Sequence, residues 1–386
     1  MPEPARRLEL WLQRAWHGGA NPLVRAGLSA AAAGYGAALA ARSAAYRIGL
    51  LSTRGLPVPV ISVGNVTVGG SGKTPLAEIV ALALARMGAR PAVISRGYGR
   101  HSRGVRIVAD AGGVRLGARD GGDEPVLLAE RLPGVPVVVG SSRYEAGAAA
   151  VGTCGAGVLV LDDGFQHRTL AKDLEIVVIS GVDPWGNGRL FPRGPLREPL
   201  SALKRAAMIV VTNPPVPAAA IDIAHVLRRK GSAATVLSGV YQPTSLWQPT
   251  SLWHPTSIRR GADGRAEFPG ALAGRKVLAL AGLASPRGFV ATAAQLGMEI
   301  TALVEFPDHH WYTPGDLARV ATRVRETGAE AVVTTEKDWI RLREMPRGDL
   351  PFWVLSVRLE MGADQAALVQ ALGETLRRAV MGRRPP

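Results

Sequence analysis

The chain has 386 residues and a mass of 40.5 kDa, which suits two or three domains, and its 47% hydrophobic and 20% charged residues are typical of globular proteins. A single cysteine, Cys154, excludes an internal disulfide framework and a zinc site built from several thiolates, and it favours a reducing, cytosolic environment. Lys and Arg outnumber Asp and Glu by 46 to 31, and the net charge of +15 indicates an anionic partner: nucleic acid, a phosphorylated small molecule or an acidic membrane surface.

The first 50 residues are predicted to form a helical segment that associates with membranes. Residues 26–41 carry no charge, and a helix of that length reaches ~24 Å, which is shorter than the ~30 Å hydrocarbon core of a bilayer. A spanning helix and a signal peptide are therefore both disfavoured. Apolar residues recur at helical spacing among arginines and predict an amphipathic surface for an anionic leaflet: Leu8, Trp11, Leu12, Ala15 and Trp16. An ordinary helix that packs its tryptophans on the protein explains the same pattern.

The remaining chain alternates apolar, β-branched runs with helical or turn segments. This order predicts an α/β fold: a parallel sheet like that of P-loop NTPases, with helices on both faces, in residues 51–235, and a second, smaller α/β domain in residues 266–386. The predicted strands are 58–63, 91–95, 135–139, 158–161, 174–179, 208–211, 277–280, 300–306, 331–335 and 352–357. Residues 236–265 contain the repeat QPTSLW, QPTSLW, HPTSI and are predicted to be a surface loop, because Pro at every sixth position excludes a helix interior.

A glycine-rich sequence, GNVTVGGSGKTP, follows the first predicted strand and precedes a helix predicted over residues 76–87. Strand, glycine loop and helix in this order are the context of a phosphate-binding loop, in which backbone N–H groups and the positive end of the helix bind phosphate oxygens. Lys73 is predicted to neutralise the β and γ phosphates, and Thr74 to offer a hydroxyl to Mg²⁺. The predicted nucleotide-binding residues are Thr67, Gly69, Gly70, Ser71, Gly72, Lys73 and Thr74. Thr67 stands where the pattern GxxxxGK[ST] has glycine.

Two carboxylates, Asp162 and Asp163, end the apolar strand predicted at residues 158–161. Ligands bind at the carboxyl edge of parallel sheets, so one or both carboxylates are predicted to join Thr74 in holding the Mg²⁺ that bridges the nucleotide phosphates. A pair of capping aspartates in a turn is the alternative.

Seven motifs, in this order along the chain, resemble those of the tetraacyldisaccharide 4'-kinase family: TVGGSGKTP, SRGYGR, GDEP, DDGFQH, PRGPLREP, FPDHHWY and TTEKDWIRL. The family's own loop is similar to TxGGxGKTP, so Thr67 agrees with it, and the QPTSLW repeat resembles an insertion. The resemblance implies an enzyme of lipid A biosynthesis that phosphorylates the 4'-hydroxyl of a membrane-embedded disaccharide lipid. It also implies ATP and Mg²⁺ as cofactors, a membrane-associating N-terminal helix, and a peripheral position on the cytoplasmic face of the bacterial inner membrane.

The same resemblance implies roles for residues outside the glycine-rich loop. The catalytic carboxylate is Asp123 of GDEP, and its partner is His309 of DHH, with Asp308 beside it. The implied substrate-binding residues are Arg96, Arg143, Arg197 and Glu198. A carboxylate oriented by an imidazole can accept the proton of a sugar hydroxyl as it attacks the γ-phosphorus, and which of the two takes the proton first is open. From the residues alone, Asp123 would more often be a turn residue or a helix cap.

Other functions share part of these motifs. A P-loop NTPase switch or a metal-insertion chaperone would use Lys73, Thr74 and Asp162 without an acceptor site. A nucleic-acid-stimulated ATPase agrees with the charge of +15, but aromatic residues are only 5% of the chain and no helicase-like motif accompanies them, so no nucleic-acid partner is expected. The chain is expected to act as a monomer on its lipid. Residues 335–338 either border the nucleotide or cap a helix.

Overall fold

The computed structural model describes residues 11–12, 14–16, 18–19, 21–70, 72–249, 270–283, 286–346 and 348–382. The predictions made for Leu8, for Ser71 and for most of the second and all of the third repeat copy lie outside the described residues.

Ten α-helices have bounds within the described part of the chain: α1 (Pro22–Arg47), α2 (Lys73–Arg86), α3 (Ala118–Gly121), α4 (Asp123–Arg131), α5 (Arg143–Cys154), α6 (Pro217–Arg229), α7 (Pro286–Gln295), α8 (Pro314–Thr327), α9 (Glu336–Leu342) and α10 (Asp364–Met381). Thirteen strands lie in the same ranges: β1 (Val60–Gly64), β2 (Pro91–Ser95), β3 (Arg106–Asp110), β4 (Gly113–Val114), β5 (Val137–Val139), β6 (Val158–Asp162), β7 (Leu174–Ser180), β8 (Met208–Thr212), β9 (Thr235–Trp247), β10 (Lys276–Ala281), β11 (Glu299–Glu305), β12 (Ala331–Thr335) and β13 (Phe352–Glu360). Each of the ten predicted strands overlaps one of these.

All thirteen described strands belong to one sheet, in the order β11, β10, β12, β13, β9, β8, β7, β1, β6, β2, β5, β3 and β4. Pairing is parallel except between β3 and its two neighbours and between β9 and β13. Every residue of β1 is buried, since Ile61 and Val63 pack in a core cluster with α2 while Val60 packs with α5 on the opposite face. The predicted α/β class, with helices on both faces of a largely parallel sheet, is confirmed.

The prediction of a surface loop over residues 236–265 is wrong for its first part, because residues 236–247 lie in β9. β9 pairs parallel with β8 and antiparallel with β13, so it joins the strands of the two halves. Pro243, in the first repeat copy, lies beside an irregularity of register between Ser356 and Val357 of β13, where a missing backbone N–H is tolerated. Leu246 of the same copy is fully buried. The predicted boundary at residue 235 falls within this strand, and the division into domains stays a prediction.

The N-terminal helix is longer than the uncharged stretch that predicted it. α1 has 26 residues and so reaches ~39 Å; Asn21 caps it by accepting from the Val24 backbone N–H at 2.9 Å, and Pro22 occupies the first turn. Of its residues, all described, only Ala32 is buried. The prediction that the helix is too short to span a bilayer is therefore wrong. By length and composition α1 could cross a membrane, but the same criterion admits core helices of soluble proteins and signal sequences, so this is weak evidence.

α1 is attached to the core through the segment that contains PRGPLREP. The Tyr35 hydroxyl donates to the carbonyl of Arg197 at 2.8 Å, and its ring meets Phe191 edge to face. Ahead of the helix, the Trp16 indole N–H donates to the carbonyl of Pro192 at 2.9 Å. These contacts lay the helix beside the loops that follow the carboxyl ends of the central strands.

Candidate active site

The glycine-rich loop connects β1 to α2 at the centre of the sheet. Gly72, which precedes the helix, has φ 88°, a conformation that favours glycine, and a Cβ there would lie 1.9 Å from the hydroxyl oxygen of Tyr241, which would have to move. Gly69 also has a positive φ of 108°. Thr67 forms a bridge to Leu196, and the Val68 N–H donates to the carbonyl of Pro195 at 2.8 Å. The segment that attaches α1 therefore also supports the loop that is predicted to bind phosphate.

The predicted loop residues and the predicted carboxylates come together at one edge of the sheet. The Thr74 hydroxyl donates to Asp162 at 3.4 Å, and the Lys73 ammonium lies 3.8 Å from Asp163. Arg197 donates to both oxygens of Asp163 at 3.1 and 3.0 Å. Asp163 has φ 55°, in the left-handed region, which directs the chain out of β6 immediately after Asp162.

The surroundings of Asp162 favour the binding of a cation. Burial, and then the negative charges of Glu124 and Asp163, raise its pKa to about 7. Its Oδ1 atom is buried without a hydrogen-bond partner among the described residues. A hydroxyl and one or two carboxylates form a hard oxygen ligand set that suits Mg²⁺, whose remaining positions are usually filled by phosphate and water. No group of three or more His, Cys, Asp or Glu side chains that could hold a metal is found within the described ranges.

Asp123 and His309, 186 positions apart in the sequence, are in direct contact. The Nδ1 atom of His309 lies 2.9 and 3.0 Å from the two carboxylate oxygens of Asp123. Asp123 is the first residue of α4, and His309, in the loop after β11, has φ 58°. A Cβ on Gly122 would lie 3.2 Å from the Cα of Gly97, in the loop that follows β2, so the pair lies at the same sheet edge as the glycine-rich loop.

The charges around the pair keep Asp123 ionised. Burial alone would raise the pKa of Asp123, but the hydrogen bond from His309 and the positive charges of Lys337 and Arg341 outweigh burial and lower it. Burial would lower the pKa of His309, but the hydrogen bond with Asp123 prevails over burial and over the charge of Lys337 and raises it. Arg341 reaches to 3.4 Å from Asp123. The arrangement is that of an ionised carboxylate whose imidazole partner readily holds a proton.

Three of the four predicted substrate-binding residues lie near the acidic edge. Arg96 is exposed after β2. Arg143 is buried at the start of α5, where it donates to the carbonyl of Gly140 at 3.1 Å, and burial lowers its pKa. Arg197 holds Asp163, as described above.

Glu198 has a different position. Its buried carboxylate accepts from Arg205 at 2.9 Å and lies 3.7 Å from Arg42 of α1. It therefore forms part of the junction between α1 and the core.

The comparisons with known proteins agree with this geometry. The family model described as LpxK, Tetraacyldisaccharide-1-P 4'-kinase, matches residues 24–377. The chain belongs to the tetraacyldisaccharide 4'-kinase family. Two family members, from Anaeromyxobacter sp. (strain Fw109-5) and Anaeromyxobacter dehalogenans (strain 2CP-C), are 43% and 45% identical to it over 342 and 333 residues. These alignments cover 89% and 86% of this chain and 89% and 84% of the two relatives.

A crystal structure shows that this chain also shares the fold of a family member. The crystal structure of LpxK from Aquifex aeolicus, described as an "apo" form in complex with ATP, superposes with a TM-score of 0.69 at 30% identity and covers 92% of this chain and 99% of that one. The expected family membership and fold are thereby confirmed, and the chain is an enzyme of the kinase class.

The structure of this tetraacyldisaccharide 4'-kinase family member adds residues that the sequence analysis left without a role. Lys337 donates to Glu124 and to Asp308, both at 2.8 Å. Asp338, fully buried one position later, accepts from the Gly282 N–H at 3.1 Å and from the Tyr312 hydroxyl at 2.8 Å. The only sequence signal for Lys337 and Asp338 was the run TEKD directly after an apolar strand. Nothing in the sequence indicated which loops these two side chains would contact.

Proposed function

We propose that the protein transfers the γ-phosphoryl group of ATP to the 4'-hydroxyl of a tetraacylated disaccharide 1-phosphate, a step of lipid A biosynthesis. Family membership supports the acceptor and the 4' position. The single observation that carries the proposal is the buried contact between Asp123 and His309, 2.9 Å long, at the sheet edge of the glycine-rich loop. An NTPase switch or a metal-insertion chaperone has no need of a group that removes a proton from an alcohol.

The glycine-rich loop would bind the nucleotide. Backbone N–H groups around Gly69, Gly70 and Gly72 and the positive end of α2 offer donors to phosphate oxygens, and Lys73 adds a charge that can follow the transferred group. Thr74, Asp162 and Asp163 would hold Mg²⁺. When bound, that ion supplies charge neutralisation of the phosphates.

Asp123 and His309 would act as one unit on the acceptor. As the hydroxyl attacks, its proton passes to the pair, which can take it because the carboxylate is ionised and the imidazole has a raised pKa. Asp308 accepts from the backbone N–H of His309 at 3.0 Å and so orients the loop of the pair. The acceptor oxygen bonds to the γ-phosphorus as the bond from that phosphorus to the β,γ-bridging oxygen breaks, so ADP leaves and the pair holds the proton of the hydroxyl.

The lipid would be bound from the membrane side. Arg96, Arg143 and Arg197 can form paired hydrogen bonds to the phosphate of the acceptor, because the guanidinium fork matches two oxygens at once. The exposed apolar side chains around α1, such as Leu23 at 84% exposure and Ile48 at 75%, suit contact with acyl chains. These apolar side chains support contact with a membrane, and we propose that the contact is peripheral and on the cytoplasmic face of the inner membrane.

The proposal is tested by incubating the enzyme with γ-labelled ATP, Mg²⁺, detergent and the disaccharide lipid. We expect label on the 4' position of the lipid, little release of labelled phosphate without the lipid, and no transfer by the Lys73→Ala variant. Brisk ATP hydrolysis without lipid and no labelled lipid would instead support the NTPase alternative.

A further inference from the structure

Lys337 contacts several of the side chains that surround the catalytic pair, Asp123 and His309. Its ammonium donates to Glu124 of α4 and to Asp308 of the loop after β11, both at 2.8 Å, and lies 3.4 Å from Nε2 of His309. Its side chain is only 15% exposed, although nothing in the transfer chemistry derived above uses it.

We propose that Lys337 is a positioning residue for phosphoryl transfer, which ties the loop that carries His309 to the start of the helix that carries Asp123. The inference rests on the proposed function, because it assumes that this pair accepts the proton. Asp308 Oδ1 accepts both from Lys337 and from the backbone N–H of His309, so the lysine is connected to the His309 backbone through a single carboxylate oxygen. His309 has a left-handed φ of 58°, a conformation that a residue with a side chain adopts only when its surroundings hold it.

The local structure of α9 presents Lys337 to the pair. Thr335 caps the helix by accepting from the Asp338 N–H at 3.1 Å, which fixes where the first turn begins. Lys337 and Arg341 are four residues apart and therefore lie on the same face of the helix. Arg341 contacts Asp123, and Lys337 contacts Asp308 and Glu124. One face of α9 therefore contacts Asp123 itself and the residues next to Asp123 and His309.

The lysine also influences the titration of the pair. The charged or titratable groups that face Asp123 are His309, Lys337, Arg341 and Asp308, and those that face His309 are Asp123, Lys337 and Asp308, with the Tyr98 ring at 5.1 Å. The positive charge of Lys337 lowers the pKa of both members. Removing it should therefore raise the pKa of both, and the acid limb of the activity profile should move to higher pH.

The test compares Lys337→Met and Lys337→Arg with Arg343→Met. Arg343, the C-cap residue of α9, is a matched control, because it also contacts α4, through a 2.6 Å bond to Glu130, and none of its described bonds is to Asp123 or His309. For Lys337→Met we expect kcat to fall about 30-fold or more while KM for ATP stays within about twofold, with the acid limb moved to higher pH. Lys337→Arg should recover much of kcat. Arg343→Met should lower the melting temperature but leave kcat and the pH profile unchanged.

A double-mutant cycle separates this inference from the proposed function. If Lys337 acts through His309, Lys337→Met should change kcat by less than about twofold in the His309→Ala background. Normal kcat in Lys337→Met, or the same fold loss in both backgrounds, would overturn the positioning role. Normal kcat in His309→Ala would instead refute the pair itself. Thermal unfolding accompanies each assay, and Lys337→Gln, which keeps a hydrogen-bond donor, replaces the methionine variant if that variant does not fold.

Discussion

Two aspartates at one sheet edge have opposite electrostatic surroundings, and this difference predicts separate roles for them. Asp123 faces His309, Lys337 and Arg341, which lower its pKa despite burial. Asp162 is buried and faces Glu124 and Asp163, which raise its pKa to about 7. Carboxylates with pKa values pushed apart in this way usually perform different tasks. The first suits proton transfer, and the second suits a cation.

The raised pKa of Asp162 predicts how stability depends on pH. An unfolded Asp titrates at about 3.9, so between about pH 4 and pH 7 the folded state holds a proton that the unfolded state lacks, and the free energy of unfolding falls as pH rises. Asp162→Asn removes this term. We therefore expect the variant to become more stable relative to the wild type as pH rises through that window, measured by urea unfolding in EDTA. Parallel pH curves for the two proteins would contradict the assignment.

At the scale of elements, α1 is the part of the molecule that differs most from an ordinary core helix. Ala32 is the only buried residue among its 26, and Tyr35 and Arg42 attach it to the loop segment that also contacts the glycine-rich loop. The glycine-rich loop and α1 therefore share a support. If α1 contacts a membrane as proposed, this arrangement would bring an acceptor at the bilayer surface towards the carboxyl edge of the sheet.

Exposed apolar residues around α1 should determine membrane binding. Replacing Leu23, Ile48 and Leu50, each more than 70% exposed, by Glu removes apolar contact and adds negative charge. We expect binding to anionic vesicles, measured by sedimentation, to fall about tenfold or more with ATP binding unchanged. A control variant, Val216→Glu with Ile221→Glu, changes exposed residues of α6 and its N-cap and should bind as the wild type does. Equal losses in both variants would show that the effect is not specific to α1.

The sequence predicted the buried central strands of the sheet, but it did not predict β9. Val60, Ile61 and Val63 are buried on both faces, and such continuous apolar runs are readable without knowledge of the fold. The strand β9 contains Pro243 and has only three buried residues, Leu237, Gly239 and Leu246, and it pairs with a strand more than 100 residues later in the chain, β13. The repeat with its regularly spaced prolines therefore predicted a loop where the structure has β9.

The same limit applies to the site. Lys73 and Thr74 begin the helix after β1 and the glycine-rich loop, and Asp162 ends β6, so their common edge was predictable from the order of strands and loops. The contact between Asp123 and His309 was expected only from the family resemblance, because no local pattern links residues 186 positions apart. The positions of Lys337 and Arg341 depend on how α9 packs on α4, which sequence spacing does not determine.

At the scale of the whole molecule, buried ion pairs join the N-terminal and C-terminal halves of the single sheet. Arg131 of α4 donates to Glu78 of α2 at 2.9 Å and pairs with Glu336 of α9, while Arg358 of β13 lies 3.3 Å from both carboxylates. Glu78 lies on the helix that begins with Lys73, and Glu336 precedes Lys337. The network therefore connects the helix of the predicted phosphate site with the helix beside Asp123 and His309.

Removing Arg131 should be costly, because Glu78 and Glu336 would lose a buried partner. The Arg131 side chain is 8% exposed, and breaking such a pair typically costs about 3–5 kcal/mol of unfolding free energy. We expect Arg131→Met to lose the lower part of this range, about 3 kcal/mol, in urea unfolding, because Arg358 remains 3.3 Å from both carboxylates. Arg323→Met, which breaks the exposed pair with Glu326, should lose less than about 1 kcal/mol. Similar losses in the two variants would mean that the network adds nothing beyond a surface pair.

The most direct test of the central claim, that Asp123 and His309 activate the acceptor beside the glycine-rich loop, is single-turnover transfer from labelled ATP to the lipid by Asp123→Asn. At saturating ATP we predict a transfer rate lower by about 100-fold or more, with the Kd for ATP unchanged, because the carboxylate acts on the hydroxyl and not on the nucleotide. A normal transfer rate, or a loss confined to ATP binding, would contradict the account.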